Sequence, residues 1–385
     1  MPRAVIVAAR RTPIGRIGGV LRGLPVEDLA APVIRAVLAD ARLDGAAVDE
    51  VILGNAVGPG GNVARLSALA AGLPVSVPGV TVDRQCGSGL EAINHAARLI
   101  ESGACTVCLA GGVESTSTAP WRMARPDGPH GLPRPYARAR FAPDAVGDPD
   151  MGVAAENVAD AFAITRDRQD AYALTSHRRA VAAQAAGRFT REIVPLVLAD
   201  GRTVDRDECP RPDTSLDKLA RLKPVFRDGG TVTAGNACPV NDGAAVVALV
   251  SEERFRSLGL SRGLVVVDSS SAGVEPALLG TGPIPAVRKL LARTPSLRLA
   301  DLAQVEFNEA FASQVLACLD TLGLDPARVC PHGGALALGH PYGASGAVLM
   351  TRLFTDLAPG AQGLATLGIG GGLGLATLVE AVGEG

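Results

Sequence analysis

Two periodicities alternate along the chain. Short apolar runs such as Ala4-Val5-Ile6-Val7-Ala8 give way to longer stretches in which apolar residues recur at every third or fourth position. The first pattern signals a buried strand and the second a helix with one buried face. On this pattern the first third reads as a strand at 5–8, a helix over 26–41, a strand at 48–54, a helix over 62–71 and an apolar run ending at Val82. A helix carried by Leu90, Ile93, Ala97 and Ile100 then runs to about 102, followed by a strand over 104–110 and a turn at Gly111-Gly112. Strands alternating with helices predict a layered α/β architecture.

From 120 to 149 the pattern dissolves into prolines, glycines and arginines, among them Arg122, Arg125, Arg134, Arg138 and Arg140. Such a stretch suits either a solvated surface loop or a segment that meets phosphates or another subunit. A helical stretch over 157–184 and the segment 216–224 belong to the same excursion. The chain rejoins the layered core near Gly235-Asn236, with an apolar strand over 244–250.

The last third repeats the first. A strand at 264–267, a helix over 284–292 and a strand at 304–307 precede His340-Pro341-Tyr342-Gly343-Ala344-Ser345-Gly346, which opens a helix leading to a strand over 363–367 and the turn Gly370-Gly371-Gly372. Cys86-Gly87-Ser88-Gly89, helix, strand, Gly111-Gly112 has the same order. The repeat predicts a first half over 1–118, completed by about 243–262, a second half over 263–385, and an insertion over 119–242, with a site between the halves.

Length and composition narrow the function. The 385 residues exceed the roughly 250–300 at which single cores stop growing, so at least two domains are expected. With 3% aromatic residues and a formal charge of −2, the chain lacks the basic field and stacking platforms of a nucleic-acid binder. No apolar run approaches the ~20 residues of a membrane span, the N-terminus shows no signal-peptide pattern, and the C-terminal Ala381-Val382-Gly383-Glu384-Gly385 is not a peroxisomal address; a cytoplasmic protein is expected. Seven cysteines without a framework predict reduced thiols. Cys105 and Cys108 form a C-x-x-C, but on a strand their sulfurs are expected to point to opposite faces and to pack in the core. The five histidines are dispersed, and no metal cluster is expected.

Cys86 is the candidate nucleophile. In Thr81-Val82-Asp83-Arg84-Gln85-Cys86-Gly87-Ser88-Gly89-Leu90 it sits on a tight strand-to-helix turn, where free helix N–H groups and the helix dipole are expected to favour thiolate. Gly87 and Gly89 allow close backbone approach, and Ser88 is a candidate helix cap.

Several strings together resemble the thiolase family, the acetyl-CoA C-acyltransferases, over essentially the whole chain: Ala9-Arg10-Arg11-Thr12-Pro13-Ile14-Gly15, the Cys86 turn, Ala110-Gly111-Gly112-Val113-Glu114-Ser115, Met151-Gly152-Val153-Ala154-Ala155-Glu156-Asn157, Thr233-Ala234-Gly235-Asn236-Ala237, Asn308-Glu309-Ala310-Phe311-Ala312 and Gly333-Gly334-Ala335-Leu336-Ala337-Leu338-Gly339-His340-Pro341. The resemblance implies a five-layered αβαβα thiolase fold with an inserted loop domain covering coenzyme A, and a homodimer or homotetramer. It implies that Cys86 carries the acyl group as a thioester, that His340 takes the thiol proton, and that Asn308 holds a water in one oxyanion hole that His340 helps to form. The N–H groups of Cys86 and Gly370 are the expected donors of a second hole. Coenzyme A is then the carrier of the substrate, with no permanently bound cofactor. Arg221 and Lys223 fall where the family's loop domain meets the nucleotide, and Ala237 and Cys238 where it meets the pantetheine arm.

One departure stands out. Family members carry a second cysteine in a Cys-x-Gly string, which moves the α-proton of acetyl-CoA, and the matching residue here is Gly368. Cysteine also stands at 238 where serine is usual, and Cys330 and His332 replace two asparagines. Three accommodations follow: Cys238, Cys330 or His332 supplies the missing base; the carbanion arises by decarboxylation of a malonyl-type thioester; or the acyl group passes to an acceptor activated elsewhere. A non-catalytic scaffold is the remaining reading.

Overall fold

The computed structural model describes residues 2–383; Met1 and the Glu384-Gly385 end of the C-terminal string lie outside the described residues. Nine strands, β1 (Ala4–Arg11), β2 (Glu50–Gly54), β3 (Gly79–Val82), β4 (Val107–Ser115), β5 (Asn241–Ser251), β6 (Arg262–Gly273), β7 (Gln304–Phe307), β8 (Gln362–Ile369) and β9 (Leu373–Gly383), join in the order β7-β8-β9-β6-β1-β5-β4-β2-β3, and the short Gly15–Arg16 pairs with β5. The repeat read from the sequence is explicit in the pairing. β1 runs antiparallel to β5, β5 antiparallel to β4 and β4 parallel to β2. In the second half β6 runs antiparallel to β9, β9 antiparallel to β8 and β8 parallel to β7. The halves meet where β1 pairs with β6, through Val5–Val265 and Ile6–Leu264.

The main helices are α1 (Val26–Asp40), α2 (Val63–Ala70), α3 (Ser88–Glu101), α4 (Met151–Ala161), α5 (Arg166–Ala185), α6 (Leu216–Ala220), α7 (Pro283–Arg293), α8 (Ala312–Leu322) and α9 (Tyr342–Asp356). Their apolar faces sort into three clusters. α1 and α2 cover the outer face of the first half, with Leu29, Ile34 and Val63 against Leu53, Leu109 and Val246. α7 and α8 cover the outer face of the second, with Val287, Leu290 and Val315 against Phe307, Leu364 and Leu378. Between the halves lie α3 and α9, where Leu90, Ile93, Met350 and Leu353 meet Ile6, Ile52, Leu249, Leu367 and Val379. Three sets of buried helix faces on two sheet regions give the expected five layers.

The central helices touch backbone to backbone. A Cβ at Gly89 would stand 2.6 Å from the Gly343 carbonyl oxygen, and one at Gly346 would stand 2.4 Å from the Leu90 nitrogen. Real side chains do not approach so closely, so this crossing requires glycine. It fixes the first turns of α3 and α9 against each other, and with them the residues just upstream, Cys86 and His340.

Two local expectations need correction. The stretch 157–184 is two helices, because Ala163 takes a left-handed φ of 52° and the Thr165 hydroxyl accepts the Arg168 N–H to start α5 anew. The sulfurs of Cys105 and Cys108 do not diverge: β4 begins only at Val107, so Cys105 lies ahead of the strand and its thiol is turned toward that of Cys108. Both still pack against the central apolar cluster. The inserted region is tied to β1 by the buried Arg11, which donates to Asp207 at 2.7 and 3.0 Å and to Glu192 at 2.9 Å.

Candidate active site

Five residues separate β3 from α3, and the chain turns by placing Gln85 in the left-handed region at φ 48°. Asp83 accepts the Gln85 N–H at 2.8 Å; the Ser88 hydroxyl accepts the Arg84 N–H at 2.8 Å and donates to the Gln85 carbonyl at 2.6 Å. Ser88 therefore braces the turn rather than capping the helix, whose cap position is Gly87. At the apex Cys86 is half-buried, with its sulfur facing the N–H of Gly370 and its own N–H, both of which favour the thiolate. Removal from water pushes the Cys86 thiol up to about 11 against those two donors, with the charges of Glu114 and Asp83 adding to the rise. The expected resting thiolate is thus replaced by a thiol: desolvation outweighs the helix terminus.

The histidine is held differently. Gly339 adopts φ +109°, and a Cβ there would lie 2.4 Å from the Asn241 side chain, whose Oδ1 accepts the His340 N–H at 2.9 Å. His340 is 2% exposed, and burial brings its imidazole down to about 3. The Ser345 hydroxyl gives its one proton to the Pro341 carbonyl at 3.0 Å, so its oxygen accepts from Nδ1–H of His340 at 2.5 Å. That assignment leaves the Nε2 lone pair to accept from the Asn308 Nδ2 at 3.2 Å. The result is a neutral imidazole with its basic nitrogen turned inward. Tyr342 packs edge-on against the ring, centroids 4.9 Å apart.

Asn308 follows β7, where its N–H donates to the Thr366 carbonyl at 3.1 Å. Its neighbour Glu309 is buried, accepts from Tyr172 and Ser176 of α5 at 2.9 and 2.6 Å, and locks the loop to the inserted region. Glu114 performs the same service on the other side, accepting from Asn55, Ala56, Val57 and Gly343; burial raises its carboxyl to about 7.

Segment 237–240 threads between the Asn308 loop and the histidine: Ala237 pairs with Phe311, the Cys238 N–H donates to Ala310 at 2.9 Å, and Val240 pairs with His340. Ala237 and Cys238 line a cavity of about 520 Å³, large enough for an extended ligand arm, together with Arg16, His177, Cys209, Arg211 and Phe226. A second cavity of about 640 Å³ is lined by Gln85, Phe141 and Gly370, next to the Cys86 sulfur.

The structure brings together Cys86, Gly370, His340, Asn308, Ala237 and Cys238. Arg221 and Lys223 are exposed and line neither cavity; Arg211 and Arg16 are the cations that line the 520 Å³ cavity. Sequence reasoning missed these two because they lie almost 200 residues apart in the chain and only the fold brings them to one cavity. It also missed His177, which accepts the Arg211 N–H at 3.2 Å and is brought down to about 4 by burial and the Arg211 charge. Cys330 exchanges hydrogen bonds with the Phe307 backbone, and His332 lies 3.5 Å from Asp356; neither lines either cavity. Gly368 is not an open space, because a Cβ there would meet the Gln314 Nε2 at 2.6 Å. Among the described residues, no helix is long and apolar enough to cross a membrane, and no three potential ligands converge to hold a metal.

Comparison with known proteins agrees with this arrangement. The family model of the thiolase N-terminal domain matches residues 4–253, and that of the thiolase C-terminal domain matches 263–381. A Staphylococcus haemolyticus protein named "Putative acetyl-CoA C-acetyltransferase VraB" is 47% identical over 382 residues, covering 99% of each chain, and its Staphylococcus aureus (strain MRSA252) namesake is 44% identical over 380 residues, covering 98% of this chain and 99% of that one. The crystal structure of the Bacillus anthracis acetyl-CoA acetyltransferase superposes with a TM-score of 0.92 at 40% identity, covering 99% of both chains. Matched along its length by sequence and by fold, the chain belongs to the thiolase family.

Proposed function

We propose that this protein is an acyltransferase acting on acyl-CoA thioesters through an acyl-cysteine at Cys86, joining or cleaving 3-ketoacyl-CoA. The observation that carries this reading is the Cys86 sulfur facing the Gly370 amide, on a turn fixed against the helix that His340 precedes. A thioester arm lying in the cavity along Ala237 and Cys238 presents its carbonyl to that sulfur. His340 Nε2, unprotonated at rest, takes the thiol proton as the sulfur attacks, and the alkoxide formed is met by the N–H groups of Cys86 and Gly370. Collapse expels coenzyme A and leaves the acyl group on Cys86. Asn308 and the now protonated His340 provide the donors for the second carbonyl, that of the carbon nucleophile's thioester.

Residues 1–118 with about 243–262, and 263–385, act as the two halves, and 119–242 as the cover over coenzyme A, which serves as carrier rather than resident cofactor. A homodimer or homotetramer in the cytoplasm completes this reading. Gly368 favours one second reading, decarboxylative condensation, which makes the carbanion without removing a proton and so needs only cysteine, histidine and asparagine.

The test offers purified protein acetyl-CoA, malonyl-CoA, or acetoacetyl-CoA with coenzyme A, and follows Cys86 by peptide mass spectrometry. An acyl adduct on Cys86 that is absent in Cys86→Ala, with turnover lost by roughly 10⁴–10⁶-fold, is expected. Turnover of malonyl-CoA alone would select decarboxylation, and no adduct with any substrate would remove the proposal.

A further inference from the structure

At position 368 the space that a side chain would enter is filled by the carboxamide of Gln314, which is buried and leaves its Oε1 without a partner. Carbon–carbon chemistry by the proposed route still needs a group that gives a proton to, or takes one from, the α-carbon of a thioester. Of the three residues that could replace the family's second cysteine, Cys330 is spent on the Phe307 backbone and His332 on Asp356. Cys238 remains. It is half-buried on the wall of the 520 Å³ cavity, is anchored by its amide to Ala310 two residues beyond Asn308, and stands two residues before the Val240 that pairs with His340.

We infer that Cys238 is the second acid–base residue of this enzyme, a proton carrier brought to the carbon from the cavity wall instead of from the glycine turn after β8. The inference rests on the acyl-Cys86 reading above. In the thiolytic direction Cys86 attacks the 3-keto carbon, the C2–C3 bond breaks, and its electron pair stays on C2. The Cys238 thiol gives its proton to C2, releasing acetyl-CoA; the Cys238 thiolate then takes the proton of the incoming coenzyme A thiol as that sulfur attacks acyl-Cys86 and expels the Cys86 thiolate, which recovers from His340 the proton it gave up at the start. Condensation runs the same transfers in reverse. No oxidant or extra reactant is needed. Burial pushes the Cys238 thiol up, so at rest it carries the proton this step requires. The Tyr342 phenol also senses both sulfurs, but it lies outside the cavity lining.

The experiment compares wild type, Cys238→Ser and Cys238→Ala in three assays: acylation of Cys86 by acetyl-CoA, thiolysis of acetoacetyl-CoA, and deuterium uptake into the methyl group of acetyl-CoA in D₂O. Both variants are expected to unfold at the urea midpoint of wild type, which shows that they fold, and still to give a mass-detectable acyl-Cys86 adduct, while thiolysis and deuterium uptake fall by about 10²–10⁴-fold. Thiolysis retained in both variants overturns the inference, and so does its loss in Tyr342→Phe alone, which would put the proton on the phenol. Failure of wild type to acylate Cys86 removes the acyl-enzyme reading and this inference together; acylation with undiminished thiolysis in the Cys238 variants removes only the latter.

Discussion

The turn before α3 and the turn before α9 hold equivalent places in the repeat, and each presents its reactive residue immediately after a residue with positive φ. The devices differ. Gln85 takes its φ of 48° with a full side chain, tied to Asp83, and leaves Cys86 half-buried. At Gly339 the Asn241 side chain occupies the place of a Cβ, and His340 ends up buried with both ring nitrogens engaged. A nucleophile must be reached by its substrate, whereas a base must keep one tautomer and one orientation. The same backbone design is thus finished outward in one half and inward in the other.

The largest expected break in this comparison comes from His340→Ala. Without an acceptor for its proton, Cys86 is left as a thiol of pKa about 11, and the acylation rate is expected to fall by about 10²–10⁴-fold in single-turnover mass spectrometry.

Acid separates buried histidines from buried carboxyls. His340 and His177 titrate near 3 and 4 in the fold against 6.5 for a free group, so the unfolded chain binds more protons below 6.5 and stability falls as pH drops. Glu114 and Glu306, near 7 against 4.5, act oppositely: the fold binds the extra protons between 4.5 and 7, a gain complete by 4.5. The two pairs offset one another between 4.5 and 6.5. Below 4.5 the two histidines are no longer offset, at up to about 2.7 kcal/mol per pH unit for the pair, and carboxyls held below their ordinary value, such as Glu91 and Glu252, add to the fall. Urea midpoints against pH should therefore show a shallow stretch and then a steep fall below about 4.5.

Exchanging the φ devices gives the smallest effects. Gly339→Ala drives a Cβ into Asn241 and is expected to cost about 1–3 kcal/mol in denaturant unfolding, with His340 displaced. Gln85→Gly relieves left-handed strain but loses the Asp83 contacts, and should move stability by less than about 1 kcal/mol. Equal costs at the two turns would contradict the difference drawn here.

Much of this was legible in the sequence because local chemistry and periodicity agreed. Cys86, His340 and Asn308 each sit where a strand or turn gives way to the next element, and the order of elements repeats. What was not legible depends on atoms far apart in the chain. Removal of Cys86 from water reverses the thiolate expected from the helix terminus alone. Arg211 reaches the cavity and Arg221 does not, although both belong to one irregular stretch. The filling of position 368 by Gln314 comes from a helix that begins 56 residues upstream, at Ala312.

The crossing at Gly89, Gly343 and Gly346 leaves no slack. Cys86 belongs to one half and His340 to the other, so the distance between them is set at the seam and not within either half. An added methyl group at that contact has backbone to meet, so the two turns would have to part while each half kept its own core. The joint is as thin as two glycine backbones in contact.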